Sequence, residues 1–315
     1  MDLASRLDAL LPLWGICAWD ASLPLRETRA PAPCPLPPAA CLVAAFPYRL
    51  PEACYPGRNL SRYAVPPDYH RIVGARLAAA GAALAERFPG AAFPWFCDNS
   101  PLPEVALAEQ AGLGRRGCHH LLITERFGSW VFLGTLASSL PAAELRLALG
   151  RPAPGPLPDP CENCAAGDRV PPCRRACPAG ALEAGGFRRE RCLSFLSQRK
   201  GDLDSRTALL LRRAGTVWGC DLCQEACPRG RAAELAPLPE FTAGLRPRLE
   251  PDCLDPASLT GRAYAWRGRA VLERNLSALE PRSTPRQPAD QKNSAGDKIS
   301  ADAPEPIDKE PPSPV

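Results

Sequence analysis

Two apolar patterns in the first third of the chain predict two kinds of element. Residues 40–48 form a continuous apolar run, which is typical of a buried strand. Within residues 69–88 the apolar side chains from Val73 to Phe88 recur three or four positions apart, as on one face of a helix. The Pro89-Gly90 pair then stops the pattern, so we predict a helix that ends at this point.

The pattern up to residue 150 indicates a mixed domain of helices and strands. We predict the following further elements: a strand at 91–97, a short helix to Ala111 that Gly112 ends, a hairpin of strands 121–124 and 130–135 around 125–128, and a helix at 141–149 with proline in its first turn. Such an order of elements is expected of an α/β or α+β fold, with the α/β domain at residues 1–150.

Composition changes at a proline-rich connection, residues 150–160. We place a domain boundary there, followed by a cysteine-rich unit at 151–235 and a helical extension at 236–280 whose second half is helical. Residues 281–315 contain eight prolines and almost no large apolar side chains. They bury too little surface to offset the entropy of ordering, so we predict a disordered tail.

Charge and hydropathy narrow the class of protein only slightly. The net charge of +4 permits nucleic-acid binding but does not single it out. No run approaches the length of about 18 apolar residues that a membrane helix needs, and the N-terminus lacks a basic signal region. We therefore expect a cytoplasmic protein with no membrane partner. Fifteen cysteines in such a chain favour metal binding over disulfides.

Seven of the cysteines form two spaced motifs, and an eighth lies between these motifs. The motifs are Cys161-x2-Cys164-x8-Cys173-x3-Cys177-Pro and Cys220-x2-Cys223-x3-Cys227-Pro, with Cys192 between them. The Cys-x3-Cys-Pro ending is typical of bacterial ferredoxins with two [4Fe–4S] clusters, in which the last cysteine binds the other cluster. The unit at 151–235 is therefore predicted to be ferredoxin-like.

The crossover rule assigns four cysteines to each cluster. The first cluster takes Cys161, Cys164, Cys173 and Cys227, and the second takes Cys177, Cys192, Cys220 and Cys223. Two structural zinc sites are the alternative, although zinc ribbons need no Cys-Pro ending. The loop of eight residues between Cys164 and Cys173, where a ferredoxin has two, is irregular and costs little in closure entropy.

Seven cysteines lie outside the motifs, and we interpret them as small buried hydrophobic residues. They are Cys17, Cys34, Cys41, Cys54, Cys97, Cys118 and Cys253. Cys97 and Cys118 are also candidates to line a pocket.

Short motifs over most of residues 43–280 resemble those of the epoxyqueuosine reductase family, cobalamin-dependent iron–sulfur enzymes of queuosine tRNA maturation. They are Ser61-Arg62-Tyr63-Ala64, Asp68-Tyr69-His70, Asp98-Asn99-Ser100-Pro101 with Glu104, Ala111-Gly112-Leu113-Gly114 with Gly117, Gly128–Gly134, Arg191–Leu196 and Arg274-Asn275. The resemblance implies an oxidoreductase that reduces the epoxide of epoxyqueuosine in tRNA, with cobalamin on the α/β domain and electrons from the two clusters.

The resemblance also implies a catalytic residue. Asp98 matches the aspartate that supplies a proton, and burial beside a corrinoid would raise its pKa. Without the resemblance, Asp98 is better explained as the N-cap of the helix that follows Pro101.

Cobalamin contacts follow from the same resemblance. They are Ser61, Arg62, Asp98, Gly114, Gly117, His119, His120, Leu122, Ser129 and Ser194. Glycines at such positions permit close backbone approach, although Gly112 alone is better explained as a helix C-cap. The two histidines are alternatively structural.

Basic residues gather behind the first cysteine motif and offer a face for tRNA phosphates or a solvated surface. They are Arg188, Arg189, Arg191, Arg199, Lys200, Arg206, Arg212 and Arg213. We expect tRNA as substrate, an unidentified low-potential electron donor, and a monomer.

Three departures from the family bear on the substrate. The first is an N-terminus that is compact before Ala40. The family usually has a lysine where this chain has Cys118, and many members continue into C-terminal helical repeats for which this chain has one helix. The alternatives are a corrinoid and iron–sulfur reductase of another small molecule, similar to reductive dehalogenases, and a non-catalytic electron carrier.

Overall fold

The computed structural model describes residues 2–25, 37–98, 100–167, 169–236 and 238–280. Its strands are β1 Leu13–Ala18, β2 Ala40–Pro47, β3 Trp95–Cys97, β4 Arg115–Arg116, β5 Leu122–Ile123, β6 Val131–Ser138, β7 Leu182–Glu183 and β8 Gly186–Phe187. Its helices are α1 Leu3–Leu10, α2 Tyr69–Arg87, α3 Glu104–Gln110, α4 Ala142–Ala148, α5 Glu162–Ala165, α6 Pro172–Ala176, α7 Leu193–Gln198, α8 Ser205–Ala214, α9 Leu222–Ala226, α10 Pro228–Arg231, α11 Pro256–Leu259 and α12 Arg269–Leu279.

The main sheet has the order β1-β2-β6-β3, and all its pairs are antiparallel. Every residue of β2 is buried because the sheet is covered on both faces. Leu42 and Phe46 join the core beneath α2, whereas Cys41 and Val43 join a second core beneath α3. The continuous apolar run is explained by this double burial, since successive side chains of a strand point to opposite faces.

The predicted long helix is confirmed as α2. Its first turn is capped by Asp68, whose side chain accepts a hydrogen bond from the backbone N–H of His70. The predicted helix at 141–149 is confirmed as α4, with Pro141 at the N-cap, and the predicted C-terminal helix is confirmed as α12.

Two strand predictions need correction. The strand expected at 91–97 covers only Trp95–Cys97, because Pro94 has no N–H to donate and the ladder cannot extend through it. The expected hairpin around 125–128 is wrong. β5 pairs with β4 and β6 pairs with β2 and β3, so that only a single bridge, between Thr124 and Gly128, joins the two segments.

The cysteine-rich segment carries α5 to α10, in which α6 packs against α9 and thereby brings the two motifs together. A third core, centred on the buried Trp218 and Tyr264, links this segment to the C-terminal residues and to Leu60. The described residues up to Glu280 form one compact unit, and the predicted domain boundaries within it stay predictions. The predicted disordered tail at 281–315 and Cys34 lie outside the described residues.

No helix in the described ranges has the length and hydrophobicity that would allow it to cross a membrane.

Candidate active site

A cavity of about 1170 Å³ lies where the main sheet, the cysteine-rich segment and the C-terminal residues meet. Six of the predicted cofactor-binding residues line it: Ser61, Asp98, His119, Leu122, Ser129 and Ser194. The walls also include aromatic side chains, among them Tyr69 and Phe132, whose rings stack with centroids 3.9 Å apart. The cavity therefore combines an apolar surface with a few polar groups, as is typical of a ligand site.

Four thiols form one wall of the cavity, and we call them the second thiol group. They are Cys177, Cys192, Cys220 and Cys223. Burial, and then the charges of Asp221, Cys192 and Cys177, raise the pKa of Cys220 to about 12. Cys177 thus lies with the second motif although it ends the first, as the crossover rule predicts for the fourth cysteine.

The remaining motif cysteines do not line the cavity, and we call them the first thiol group. They are Cys161, Cys164, Cys173 and Cys227. Cys161 and Cys227 pack around Ile123. Burial and then the charges of Cys118 and Cys227 raise the pKa of Cys173 to about 11, so these thiols are also neighbours. Cys227 therefore lies with the first motif although it ends the second. The described cysteines are all free thiols.

Asp221 ties the second thiol group to the rest of the cavity wall. This fully buried carboxylate accepts hydrogen bonds from Ser61 Oγ at 2.5 Å and from the Arg62 backbone N–H at 2.8 Å, and Arg58 lies at 3.2 Å. Burial raises the pKa of Asp221, while the hydrogen bonds from Ser61 and Arg62 oppose that shift. Asp221 was not predicted as a site residue. Its position between Cys220 and Cys223 is the one sequence signal that could have indicated it.

Asp98 is held by its neighbours and not by burial. Tyr69 Oη donates to Asp98 Oδ2 at 2.6 Å, and His70 Nε2 lies 3.4 Å from the same oxygen. Burial and the charge of Asp98 raise the pKa of Tyr69, so its phenol stays protonated. The backbone of Asp98 has φ +63°, a region that Asp tolerates better than most residues.

The side chain of Asp98 is 63% exposed, and a raised pKa beside a bound corrinoid stays a prediction. The alternative role of Asp98 as an N-cap is wrong, because α3 begins at Glu104 after Pro103. Instead Glu104 Oε1 accepts a hydrogen bond from the Asp98 backbone N–H at 3.2 Å. Asn99 of the same motif lies outside the described residues.

His70 bridges two carboxylates, since its Nδ1 lies 2.7 Å from Asp68 Oδ1 and its Nε2 faces Asp98. Burial lowers the pKa of His70, but hydrogen bonds to Asp68 and Asp98 outweigh burial and raise that pKa to about 9. The imidazole is therefore a cation at neutral pH, and it holds a proton beside Asp98.

His119 lines the cavity and has one ring nitrogen without a hydrogen-bond partner among the described residues. Its side chain is 4% exposed, and its Nδ1 accepts a hydrogen bond from the Leu121 backbone N–H at 3.2 Å. Burial and then the charge of His120 lower the pKa of His119 to about 4, so the ring is neutral and its proton resides on Nε2. Within the described residues this Nε2–H has no hydrogen-bond partner.

Four predicted contacts, Arg62, Gly114, Gly117 and His120, do not line this cavity. A Cβ at Gly114 would lie 2.2 Å from Ile123 O, so the glycine permits close packing of β4 on β5 and not of a ligand. Gly112 has φ +78°, which agrees with its interpretation as a helix C-cap. Neither Cys97 nor Cys118 lines the cavity, although Cys118 and His120 line a smaller one of about 370 Å³.

The predicted basic face is only partly available to a ligand. Arg188 and Arg191 both pair with Glu183 at 3.0 Å, whereas Arg189 lines the cavity. Cys17 and Cys41 are buried in the core beneath α3, which agrees with their interpretation as hydrophobic residues.

Comparison with known proteins gives the class of the cysteine-rich segment. Residues 160–230 match the family model described as a 4Fe-4S double cluster binding domain. The chain is therefore an iron–sulfur protein with two [4Fe–4S] clusters, which agrees with the two groups of thiols.

Relatives with established names extend the match beyond that segment. An epoxyqueuosine reductase of Listeria monocytogenes is 33% identical over 224 residues, or 66% of this chain and 53% of the relative. One of Aliivibrio fischeri is 34% identical over 184 residues, or 58% of this chain and 45% of the relative. The chain thus spans about half the length of the curated relatives it matches.

Solved structures show the same fold. The epoxyqueuosine reductase of Streptococcus thermophilus aligns with a TM-score of 0.60 and 25% identity, covering 76% of this chain and 63% of that chain. A crystal structure of epoxyqueuosine reductase with an epoxyqueuosine-modified tRNA stem loop aligns with a TM-score of 0.70 and 20% identity, covering 88% and 79%. In sequence and in fold the chain is therefore similar to the epoxyqueuosine reductases.

Proposed function

We propose that the chain reduces the epoxide of epoxyqueuosine in tRNA to queuosine, with cobalamin in the 1170 Å³ cavity and electrons from the two clusters. One observation carries this proposal: the second thiol group, Asp98 and His119 all line the same cavity. An electron source, a proton donor and a ligand-binding group therefore face the same volume.

The cluster ligands follow from the two thiol groups. We propose that Cys177, Cys192, Cys220 and Cys223 hold the second cluster, and that Cys161, Cys164, Cys173 and Cys227 hold the first. Because only the second group lines the cavity, the second cluster is the one that passes electrons to the cofactor. The first cluster, whose ligands do not line the cavity, then receives electrons from a low-potential donor.

The cavity fits a large ligand with amide side chains. Its volume exceeds the ~300–1000 Å³ of ordinary small-molecule pockets. A buried donor without a partner costs about 1–3 kcal/mol, and an amide carbonyl on the rim of a corrin ring would satisfy His119 Nε2–H. Ser61, Leu122, Ser129 and Ser194 complete the proposed contacts.

When bound, cobalamin supplies a low-potential metal centre for reductive cleavage of the epoxide C–O bond. Removal of the epoxide oxygen as water consumes two electrons and two protons. We propose that Asp98 delivers a proton to that oxygen, as its position in the cavity wall allows. Tyr69 and the protonated His70 both place a proton against Asp98 Oδ2, so they orient the carboxyl group and can reprotonate it.

The proposed tRNA substrate is supported by the fold shared with a reductase that was crystallised with a modified tRNA stem loop. Arg189 at the cavity wall, and the exposed side chain of Trp266 with Arg267 stacked over its ring at 3.7 Å, offer phosphate and base contacts at the same site. We propose that the chain acts as a monomer.

An anaerobic assay tests the proposal. Reconstituted protein, cobalamin and a low-potential reductant are incubated with tRNA that contains epoxyqueuosine, and the nucleosides are quantified. We expect queuosine from the wild type and from the control D252N, whose Asp252 lies on the surface. We expect D98N to bind cobalamin normally and to lose at least about a hundredfold in turnover. Unchanged turnover of D98N would refute the acid role. Cobalamin binding without conversion of the tRNA would indicate another substrate.

A further inference from the structure

A fifth thiol, Cys118, lies within the first thiol group. Its backbone N–H donates to Cys161 Sγ at 3.2 Å, and its side chain packs against Ile123, Cys161 and Cys227. Cys118 therefore contacts two of the four cysteines proposed to hold the first cluster, Cys161 and Cys227.

Cys164, the fourth proposed ligand, is less firmly placed. It lies in the short helix α5, is half-buried, and does not belong to the packed group around Ile123. Eight residues connect it to Cys173, where the ferredoxin pattern has two. A longer connection restrains the relative positions of its ends less strongly.

Cys118 and the segment that follows Cys164 share the smaller cavity, of about 370 Å³. Cys118, Ala165, Gly167 and Val170 are among the residues that line it. Cys118 thus lies beside the first thiol group and also near the segment that carries Cys164 away from it.

We propose that Cys118 is a reserve ligand of the first cluster, whose sulfur binds iron when the Cys164 thiolate is displaced or has been removed by substitution. This inference rests on the proposed cluster ligands. In the exchange, the Cys118 sulfur binds one iron and releases its proton to solvent, while the departing Cys164 thiolate takes up a proton. No electron is transferred, and the cluster keeps four thiolate ligands. A lysine at position 118 has no sulfur with which to bind iron.

The test measures iron, sulfide and the electron paramagnetic resonance of reduced clusters in C164A, C118A and the double variant, all reconstituted anaerobically. C253A is the matched control, because Cys253 lies in the core around Trp218, away from both thiol groups. Wild-type protein must first contain about eight irons per chain. If it does not, the proposed cluster assignment is overturned, and the reserve role of Cys118 with it.

We expect C164A and C118A to keep about eight irons, and the double variant to keep about four with the resonance of the second cluster intact. That resonance, together with unchanged circular dichroism, shows that the double variant is folded. In C164A the resonance of the first cluster should shift, because one ligand has changed. Loss of the first cluster in C164A alone would overturn the proposal, as would loss in C118A alone or retention in the double variant.

Discussion

The charge on His70 is the feature of the site that can be measured most directly. Burial alone would keep its imidazole neutral, but hydrogen bonds to Asp68 and Asp98 raise the pKa of His70 from 6.5 to about 9. We predict that Asp68→Asn lowers the pKa of His70 by ~1 unit or more, because an adjacent opposite charge is worth about 1–3 units. Asp98→Asn should act in the same direction, with a smaller effect because the distance is 3.4 Å and not 2.7 Å.

The effect on stability can be derived from the same shift. A rise from 6.5 to about 9 corresponds to about 3.4 kcal/mol between the two protonation states. The His70 side chain is 42% exposed, so solvent screening reduces the contribution of its ion pairs to the free energy of unfolding to about 1 kcal/mol. Because the pKa is raised on folding, this stabilisation is fully present below pH 6.5 and is lost as the pH rises through about 9. In D68N the same pH range should show a smaller loss.

Nuclear magnetic resonance of histidine-labelled protein can follow the titration, since the chain has only three histidines. The midpoint for His70 should lie near 9, and that for His119 near 4. The alkaline limb of the pH dependence of turnover should move with the His70 midpoint in D68N. A His70 midpoint near 6.5 in the wild type, or one that D68N leaves unchanged, would refute the bridged arrangement.

Three further predictions concern other parts of the structure. G114A should destabilise the protein by about 1–3 kcal/mol in anaerobic urea unfolding, because the added Cβ would collide with Ile123 O. The control G155A should be neutral, because a Cβ at Gly155 has no atom within 4 Å. D221N should cost about 3 kcal/mol in the same assay, because it leaves Arg58 without its buried partner; an effect no larger than that of D252N would contradict this. H119L should weaken cobalamin binding up to about tenfold in equilibrium dialysis, and equal affinity would exclude the proposed hydrogen bond.

Local patterns predicted the elements that local physics determines. The helix α2 and the strand β2 were predictable because their apolar periodicity reflects burial on one side or on both. The hairpin was predicted wrongly because two apolar segments around a glycine turn resemble paired strands. In fact β6 pairs with β2, far away in the sequence, and no local signal encodes that pairing.

The site divides in the same way. The crossover of Cys177 and Cys227 was predictable, since the spacing of the motifs carries that information. The environment of Asp98 was not, because its partners Tyr69 and His70 come from the start of α2 and reach it only through tertiary packing. No sequence pattern predicts the role of Asp221. That role follows from the hydrogen bonds that Ser61 Oγ and the Arg62 backbone N–H donate to its carboxylate.

The arrangement of the two thiol groups imposes a direction on the proposed electron flow. The second group forms part of the cavity wall, whereas the first does not line the cavity, and its Cys161 and Cys227 pack around Ile123. An electron that enters at the first cluster therefore reaches the cavity through the second. The reserve thiol Cys118 lies at the entry end, so a ligand exchange there would alter how electrons enter the chain without changing the walls of the cavity in which the substrate reacts.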